Sequence, residues 1–450
     1  MGEQAKRRFR HGRRHLAVAG LLAVALLASA CSGSTTSGAA AAEFEGSDEP
    51  GPGVTADTVK IGFTILDSAS LEAALKIEFP DQGDQEAQIA ALVEWINANG
   101  GIGGRQVEPV VRTFEALFDT AESEEKLCNE FTQDDEVFAV MMWGMFQENL
   151  RPCFAANDTV MLEHTLYPLP EQTMRDLAPY YMAPNFATYE DIIRGLGGVF
   201  EETGFLDGGT VGVIGVDSEA NRAIYEDQLG PMLDEAGTPA VAVRWIDLKD
   251  SANTRAGYEQ AIIAYKAAGV DRLITLGGSR LLSFFLDFAT KQDFAPRLVL
   301  TSYDNVDFNN INYPEEMADA VGLSASPSWD FVESQLASPA NDEEAKCAQV
   351  LIDAGIEPGG RENARNGQFY CDGLLFLAAA AEQAGMDSGT PMNAANLYQG
   401  ALDLGDTWSS GQNYSTLFDG VVAGAAGYQS WVMNPGTGEL ELVGEPREFE

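Results

Sequence analysis

His164 is the one imidazole in the chain beyond residue 15, so any histidine-dependent chemistry in its body falls to that residue. A serine-hydrolase site needs a nucleophile, a base and a group that orients the base. His164 is the lone candidate base, and no G-x-S-x-G elbow occurs. Asp and Glu number 69, so a hydrolase working through paired carboxylates is the rival reading from the enzyme class. The acids are scattered, however, and none follows the D-x-D-x-D-G spacing of a calcium loop. Cys128, Cys153, Cys347 and Cys371 show no C-x-x-C spacing, which argues against zinc. GGIGG (Gly100–Gly104) follows a helical stretch and precedes a strand, the wrong order for a dinucleotide fingerprint. No catalytic set, metal site or cofactor is expected, and the chain reads as a non-enzyme.

The first 31 residues set the compartment. Lys6, Arg7, Arg8, Arg10, Arg13 and Arg14 precede an apolar run from Leu16 to Leu27, then Ala28-Ser29-Ala30 and Cys31. This is a signal peptide over residues 1–30, with its apolar part shorter than the ~20 residues of a membrane span. The small residues before Cys31 resemble a bacterial lipobox, which implies a lipid anchor on Cys31 at the outer face of the cytoplasmic membrane. Sec and twin-arginine export both stay open. Residues 31–53, rich in small, polar, Pro and Gly residues, form a flexible tether. In an oxidising compartment the even number of remaining cysteines implies disulfides. Sequence allows three pairings; local and similar spacing favours Cys128–Cys153 and Cys347–Cys371.

The formal net charge is −42. Such a surface repels nucleic acid, which is excluded as a partner. The roughly 400 residues after the tether exceed one ordinary core and call for two lobes.

Strand-like and helix-like stretches alternate from Val59 onward. Strands are expected at Val59–Leu66, Val107–Phe114, Val137–Gly144, Thr159–Thr165 and Tyr180–Asn185. A second series follows at Thr210–Asp217, Val241–Leu248, Arg272–Gly278, Arg297–Tyr303 and Val321–Ser326. Helices are expected near Asp84–Asn99, where Ile89, Leu92, Val93 and Ile96 share a face, and near 220–236, 253–268, 281–291 and 367–384. Two such series imply two α/β lobes with parallel sheets. The first lobe is read as residues 54–185 and the second as 186–326. Residues 327–450 are read as a return to the first lobe and hinge, with a C-terminal hairpin turning at Asn434–Gly438.

Ligands of parallel sheets bind at the carboxyl ends of the strands. Those ends nominate Trp143, Phe146, His164, Thr165 and, in the first crossover, Tyr189; the second lobe nominates Asp217, Gly278 and Tyr303. Aromatic residues supply apolar area with a polar edge. Asp217 could meet an amine or cap the following helix. Gly277-Gly278 could admit a ligand close to the backbone or simply form a tight turn.

VTADTVKIGF, followed by NANGGIGGRQVEPVV after the first helix, resembles the extracellular solute-binding proteins of branched-chain amino acid importers, the type I periplasmic-binding-type proteins of ABC transporters. The resemblance spans Val54 to about Ser326. It implies two Rossmann-like lobes joined by a multi-crossover hinge, a solute closed between them, an ABC permease as partner, and a monomer. It also matches Cys128 and Cys153 to a first-lobe disulfide of some members. A tethered ligand sensor of the same fold is the nearest alternative. The chain departs from the amino-acid binders after the third strand, where WGMFQEN (Trp143–Asn149) carries no hydroxyl to hold an α-carboxylate. The solute is therefore expected to be amino acid-like or more apolar.

Overall fold

The computed structural model describes residues 48–114, 120–143, 148–164, 167–249, 251–357 and 359–449. The strands of the first lobe are β1 (Thr58–Leu66), β2 (Gln106–Phe114), β3 (Ala139–Trp143), β4 (Val160–His164) and β5 (Tyr181–Met182). With them go helices α1 (Ser68–Leu75), α2 (Gln85–Ala98), α3 (Ala121–Asn129), α4 (Leu150–Ala156) and α5 (Glu171–Leu177). The chain then crosses over into α6 (Tyr189–Thr203) and the second series. Its strands are β6 (Val211–Val216), β7 (Ala242–Ile246), β8 (Arg272–Leu276), β9 (Arg297–Leu300) and β10 (Val321–Ser324). Its helices are α7 (Glu219–Ile224), α8 (Gly230–Glu235), α9 (Ser251–Ala268), α10 (Ser279–Lys291), α11 (Val306–Asn312) and α12 (Pro314–Met317). Next come α13 (Pro327–Asp330), α14 (Asp342–Asp353), α15 (Arg361–Gln383) and α16 (Ala394–Leu404), then strands β11 (Gly427–Met433) and β12 (Leu440–Glu448).

The first sheet has the order β2-β1-β3-β4-β5, every pairing parallel. The second has the order β12-β11-β10-β9-β8-β6-β7, parallel from β7 to β10 and antiparallel at β10-β11-β12. Residues beyond 327 thus divide. Helices α14, α15 and α16 pack on the first lobe, with Cys347, Phe369, Leu374, Leu377 and Leu397 in one cluster with Ile61, Ile89 and Leu92. The C-terminal hairpin instead extends the second sheet, because the backbone groups along the free edge of β10 are satisfied by an antiparallel strand.

Local chemistry explains the entry to this architecture. Asp84 caps α2 by accepting from the Ala87 amide at 3.0 Å. Ile89, Leu92, Val93 and Ile96 of that helix are all buried. Asn97 then pins the helix to β2, accepting from the Val107 amide at 2.7 Å and donating to the Val107 carbonyl at 3.0 Å. Gly101 (φ +71) turns the chain so tightly that a Cβ would sit 1.9 Å from the Arg105 carbonyl oxygen. The Asn97–Gly104 motif is thus a helix-to-strand clasp.

Disulfides join Cys128 to Cys153 and Cys347 to Cys371. The second ties α14 to α15 across 24 residues. Replacing both Cys347 and Cys371 by alanine is expected to lower the unfolding free energy by ~3 kcal/mol through loop-closure entropy in the unfolded chain. Urea denaturation measures this loss.

Candidate functional site

The carboxyl end of β4 delivers His164 into a buried aromatic group drawn from several parts of the chain. Its ring centroid lies 4.3 Å from Trp329 of α13, 4.8 Å from Phe369 of α15 and 5.0 Å from Phe186 of the first crossover. Phe186 in turn packs 5.3 Å from Tyr303, which follows β9 in the second lobe. The Arg365 guanidinium of α15 lies over the Trp329 ring at 5.4 Å and donates through Nη1 to Asp307 Oδ2 of α11 at 2.8 Å. Both partners of that pair are nearly shielded from water. Residues from both lobes and from two crossovers therefore meet at the strand ends.

The crossovers are bound to one another beside this group. Asp372 of α15 accepts from Asn185 Nδ2, from Ser410 Oγ at 2.7 Å and from the Gly411 amide at 2.8 Å. Ser326 and Ser328 donate to the carbonyls of Gln412 (3.3 Å) and Gly411 (3.0 Å). One carboxylate and three hydroxyls thus join the segments around residues 185, 327 and 411. Further out, the loop after α1 reaches the second lobe. Phe79 packs on Phe308 at 4.9 Å. The Glu78 backbone exchanges two hydrogen bonds with the Asn312 side chain, at 3.0 and 3.1 Å.

Burial, reinforced by the positive Arg365, pushes the His164 imidazole down to about 3. Folded His164 is therefore neutral at ordinary pH. Above its unfolded value of 6.5 both states are neutral and the shift has no effect. As pH falls from 6.5 toward 3, the unfolded chain takes up a proton that the folded chain refuses. Stability is then lost at up to ~1.4 kcal/mol per pH unit. Asp304, Asp330 and Asp372 oppose this, since burial pushes each carboxyl up to about 6. They add stability as pH drops from 6 toward their unfolded 3.8. Replacing His164 by Phe leaves the aspartates and removes the imidazole. The variant is expected to match the parent at pH 7 within ~1.5 kcal/mol and to exceed it increasingly below pH 6.5. Identical pH slopes in chemical denaturation would contradict a buried neutral His164.

The residues nominated from sequence separate into groups. His164 and Tyr303 meet through Phe186. Tyr303 is buried, and its hydroxyl donates to the Ala187 carbonyl at 2.5 Å, tying the end of β9 to the first crossover. Tyr189 opens α6 and is 2 % exposed, packed in the apolar cluster that runs between the lobes. Asp217 lies elsewhere, exposed after β6 and bonded to Arg222 Nε at 2.9 Å. It does not cap α7; Ser218 does, accepting from the Asn221 amide at 3.2 Å. Gly278 (φ +75) is the N-cap of α10, and Gly277 (φ +136) leaves no room for a Cβ, which would meet Val216 Cγ2 at 2.5 Å. Asp217 and Gly277 line a small pocket with Glu148, Tyr167, Lys249 and Arg280. Trp143 ends β3 and pairs with His164 in register. Its side chain, Phe146, Thr165 and the proposed anchor Cys31 lie outside the described residues.

Trp329, Phe369, Arg365 and Asp307 were not nominated from sequence. Trp329 sits in a crossover, and Arg365 and Phe369 sit on a helix rather than after a strand. The available signal was the i, i+4 spacing of Arg365 and Phe369 on one face of α15.

This architecture has known counterparts. Residues 81–404 match the family model described as periplasmic binding protein. The chain belongs to that family. Its members are substrate-binding proteins rather than enzymes, and they work outside the cytoplasm. Among similar solved structures is a fatty acid ABC transporter substrate-binding protein from Thermomonospora curvata. It is 14% identical, with 89% of this chain and 95% of that one covered and a TM-score of 0.60. Another is a solute-binding protein of an ABC transporter from Rhodopseudomonas palustris in complex with p-hydroxybenzoic acid (15% identity, 88% and 98% coverage, TM-score 0.59). A third is the branched-chain amino acid transporter substrate-binding protein from Streptococcus pneumoniae in complex with isoleucine (14% identity, 87% and 100% coverage, TM-score 0.54). At these identities the likeness speaks for the fold, which is the type I periplasmic binding fold expected from sequence. No curated protein sequence matches the chain significantly. Among the described residues no helix is long and apolar enough to cross a membrane.

Proposed function

We propose that this periplasmic binding protein captures a small organic solute between its lobes and delivers it to an ABC permease, as a monomer held at the outer face of the cytoplasmic membrane by lipid on Cys31. The observation that carries the reading is the convergence on His164 of rings from α13, α15 and the first crossover, at the carboxyl ends of facing strands. Such a location is where parallel sheets hold ligands, and residues from two lobes can close around a guest. The proposed contacts are His164 and Tyr303 with Trp329 and Phe369. Trp143, Phe146 and Thr165 join them by their places in the sequence, at the end of β3 and after β3 and β4. Asp217 and Gly278 are proposed for the second-lobe wall of the cleft, and Tyr189 for the joint beneath it. The aromatic content favours a solute with an apolar body. The proteins named above from Thermomonospora curvata and Rhodopseudomonas palustris are described with a fatty acid and with p-hydroxybenzoic acid, which is consistent with that choice.

The test is native mass spectrometry of the purified protein, to find any solute carried through, followed by calorimetry and thermal shift with it. A specific solute raises the melting temperature by mass action. Trp329→Ala is expected to weaken its binding at least about tenfold. Unchanged affinity in that variant would place the solute elsewhere.

A further inference from the structure

The guanidinium of Arg365 is deeply buried, its side chain 4% exposed. Its Nη1 donates to Asp307. Its Nε and Nη2 are shielded from water and meet no hydrogen-bond acceptor among the described residues. These two atoms form one edge of the planar fork, with their N–H bonds parallel, the geometry that matches the two oxygens of a carboxylate. Burying donors without acceptors is costly, and native proteins seldom leave them so. Among the described residues, the acidic groups that interact with Arg365 are Asp307 on α11, already bonded at the opposite corner, and Asp330 on α13, whose Oδ2 accepts from Ser302 at 2.5 Å. His164, at the end of β4, is neutral. Neither carboxylate reaches the Nε–Nη2 edge.

We infer that Arg365 is the anchor for a carboxylate on the solute, taken bidentately by Nε and Nη2, with the solute's apolar body laid against the Trp329, Phe369 and His164 rings. This rests on the solute-binding reading above and adds the solute's chemical class. It also accounts for the absence of a hydroxyl in Trp143–Asn149: the anion-binding role moves from the loop after β3 to α15. Arg365 belongs to the first lobe and Asp307 to the second, so separating the lobes opens the edge to a solute. Closing them brings Asp307 back to Nη1, and the same guanidinium then holds solute and second lobe together.

The experiment measures affinity by calorimetry for benzoate, octanoate and leucine, each beside its amide, in the parent protein and in Arg365→Lys. Lysine keeps the charge and loses the fork. The parent is expected to bind at least one acid about 100-fold more tightly than its amide, two charge-assisted bonds being lost with the carboxylate. In Arg365→Lys that ratio is expected to fall below about 10. A residue serving only to tie the lobes would lower the melting temperature of the variant and leave the ratio unchanged. An amide bound as tightly as its acid overturns the proposal, and that comparison needs only the parent protein. A neutral solute found in the purified protein, with affinity unaltered in Arg365→Lys, overturns it while sparing the solute-binding reading. If no acid binds and nothing is carried through purification, both fall together.

Discussion

Glu163→Gln is expected to lower the unfolding free energy by ~3–5 kcal/mol, the usual cost of leaving one half of a buried ion pair behind. Glu163 sits on β4 with no exposed side-chain surface. Its two oxygens take Arg151 Nε at 2.7 Å and Nη2 at 2.5 Å. Arg151 lies on α4, whose side chains pack against the first sheet, and is itself 4% exposed. Glutamine cannot neutralise the guanidinium, and its amide group places a donor where an acceptor stood. The double variant Arg151→Met/Glu163→Leu removes both charges and is expected to recover most of the loss. Urea denaturation of the three proteins measures the comparison. A single variant within 1 kcal/mol of the parent, in a system where the pair costs roughly 3–5, would mean water reaches that site. Because Glu163 immediately precedes His164, the same variant should also loosen the end of β4 and weaken solute binding.

Removing the contacts that the loop after α1 makes with the second lobe should open the protein in the absence of solute. Phe79 on Phe308 is an aromatic pair worth ~0.5–1.5 kcal/mol beyond its buried area. The two Glu78–Asn312 hydrogen bonds lie near solvent and add less than buried ones would. Together they bias the closed arrangement by ~1–3 kcal/mol, a factor of about 5–150 in the ratio of closed to open molecules. Phe79→Ala with Asn312→Ala removes both. The loop stays anchored to the first lobe through Gln82, whose Nε2 donates to the Glu362 carbonyl at 2.8 Å and whose Oε1 accepts from the Asn366 amide at 3.1 Å. The expected result is a larger radius of gyration by small-angle scattering for the solute-free variant than for the parent, with the difference abolished by saturating solute. Superimposable curves would show that these contacts do not govern closure.

The fold was legible in the sequence wherever local pattern and long-range packing agree. Ile89, Leu92, Val93 and Ile96 at helical spacing mark α2, and the glycines after Asn97 mark its end. The parallel strands read as short β-branched runs because both faces of each sheet are covered. Legibility failed where a partner far along the chain decides. The C-terminal strands read as a hairpin, but nothing local assigns them to β10, about a hundred residues earlier along a chain whose connections are usually short. Helix α15 begins at Arg361, earlier than its apolar residues suggest, because its first turns carry polar residues such as Arg361, Arg365 and Asn366 that are nonetheless buried. For the same reason nothing in the local sequence marks Arg365 as a buried charge. Its partner Asp307 is 58 residues away, a separation at which pattern carries no signal. His164 was legible because a lone imidazole at a strand end invites scrutiny. The rings that surround it were not, since they come from a crossover and a helix whose contacts exist only in the folded chain.

The proposed function depends on a solute sitting between the lobes against His164 and Trp329. A crystal structure of the protein with the solute that mass spectrometry identifies tests it most directly. Density for that solute is expected at the carboxyl ends of the strands, in contact with His164, Trp329 and at least one residue of the second sheet's loops. Density confined to the outer surface of a single lobe would contradict it.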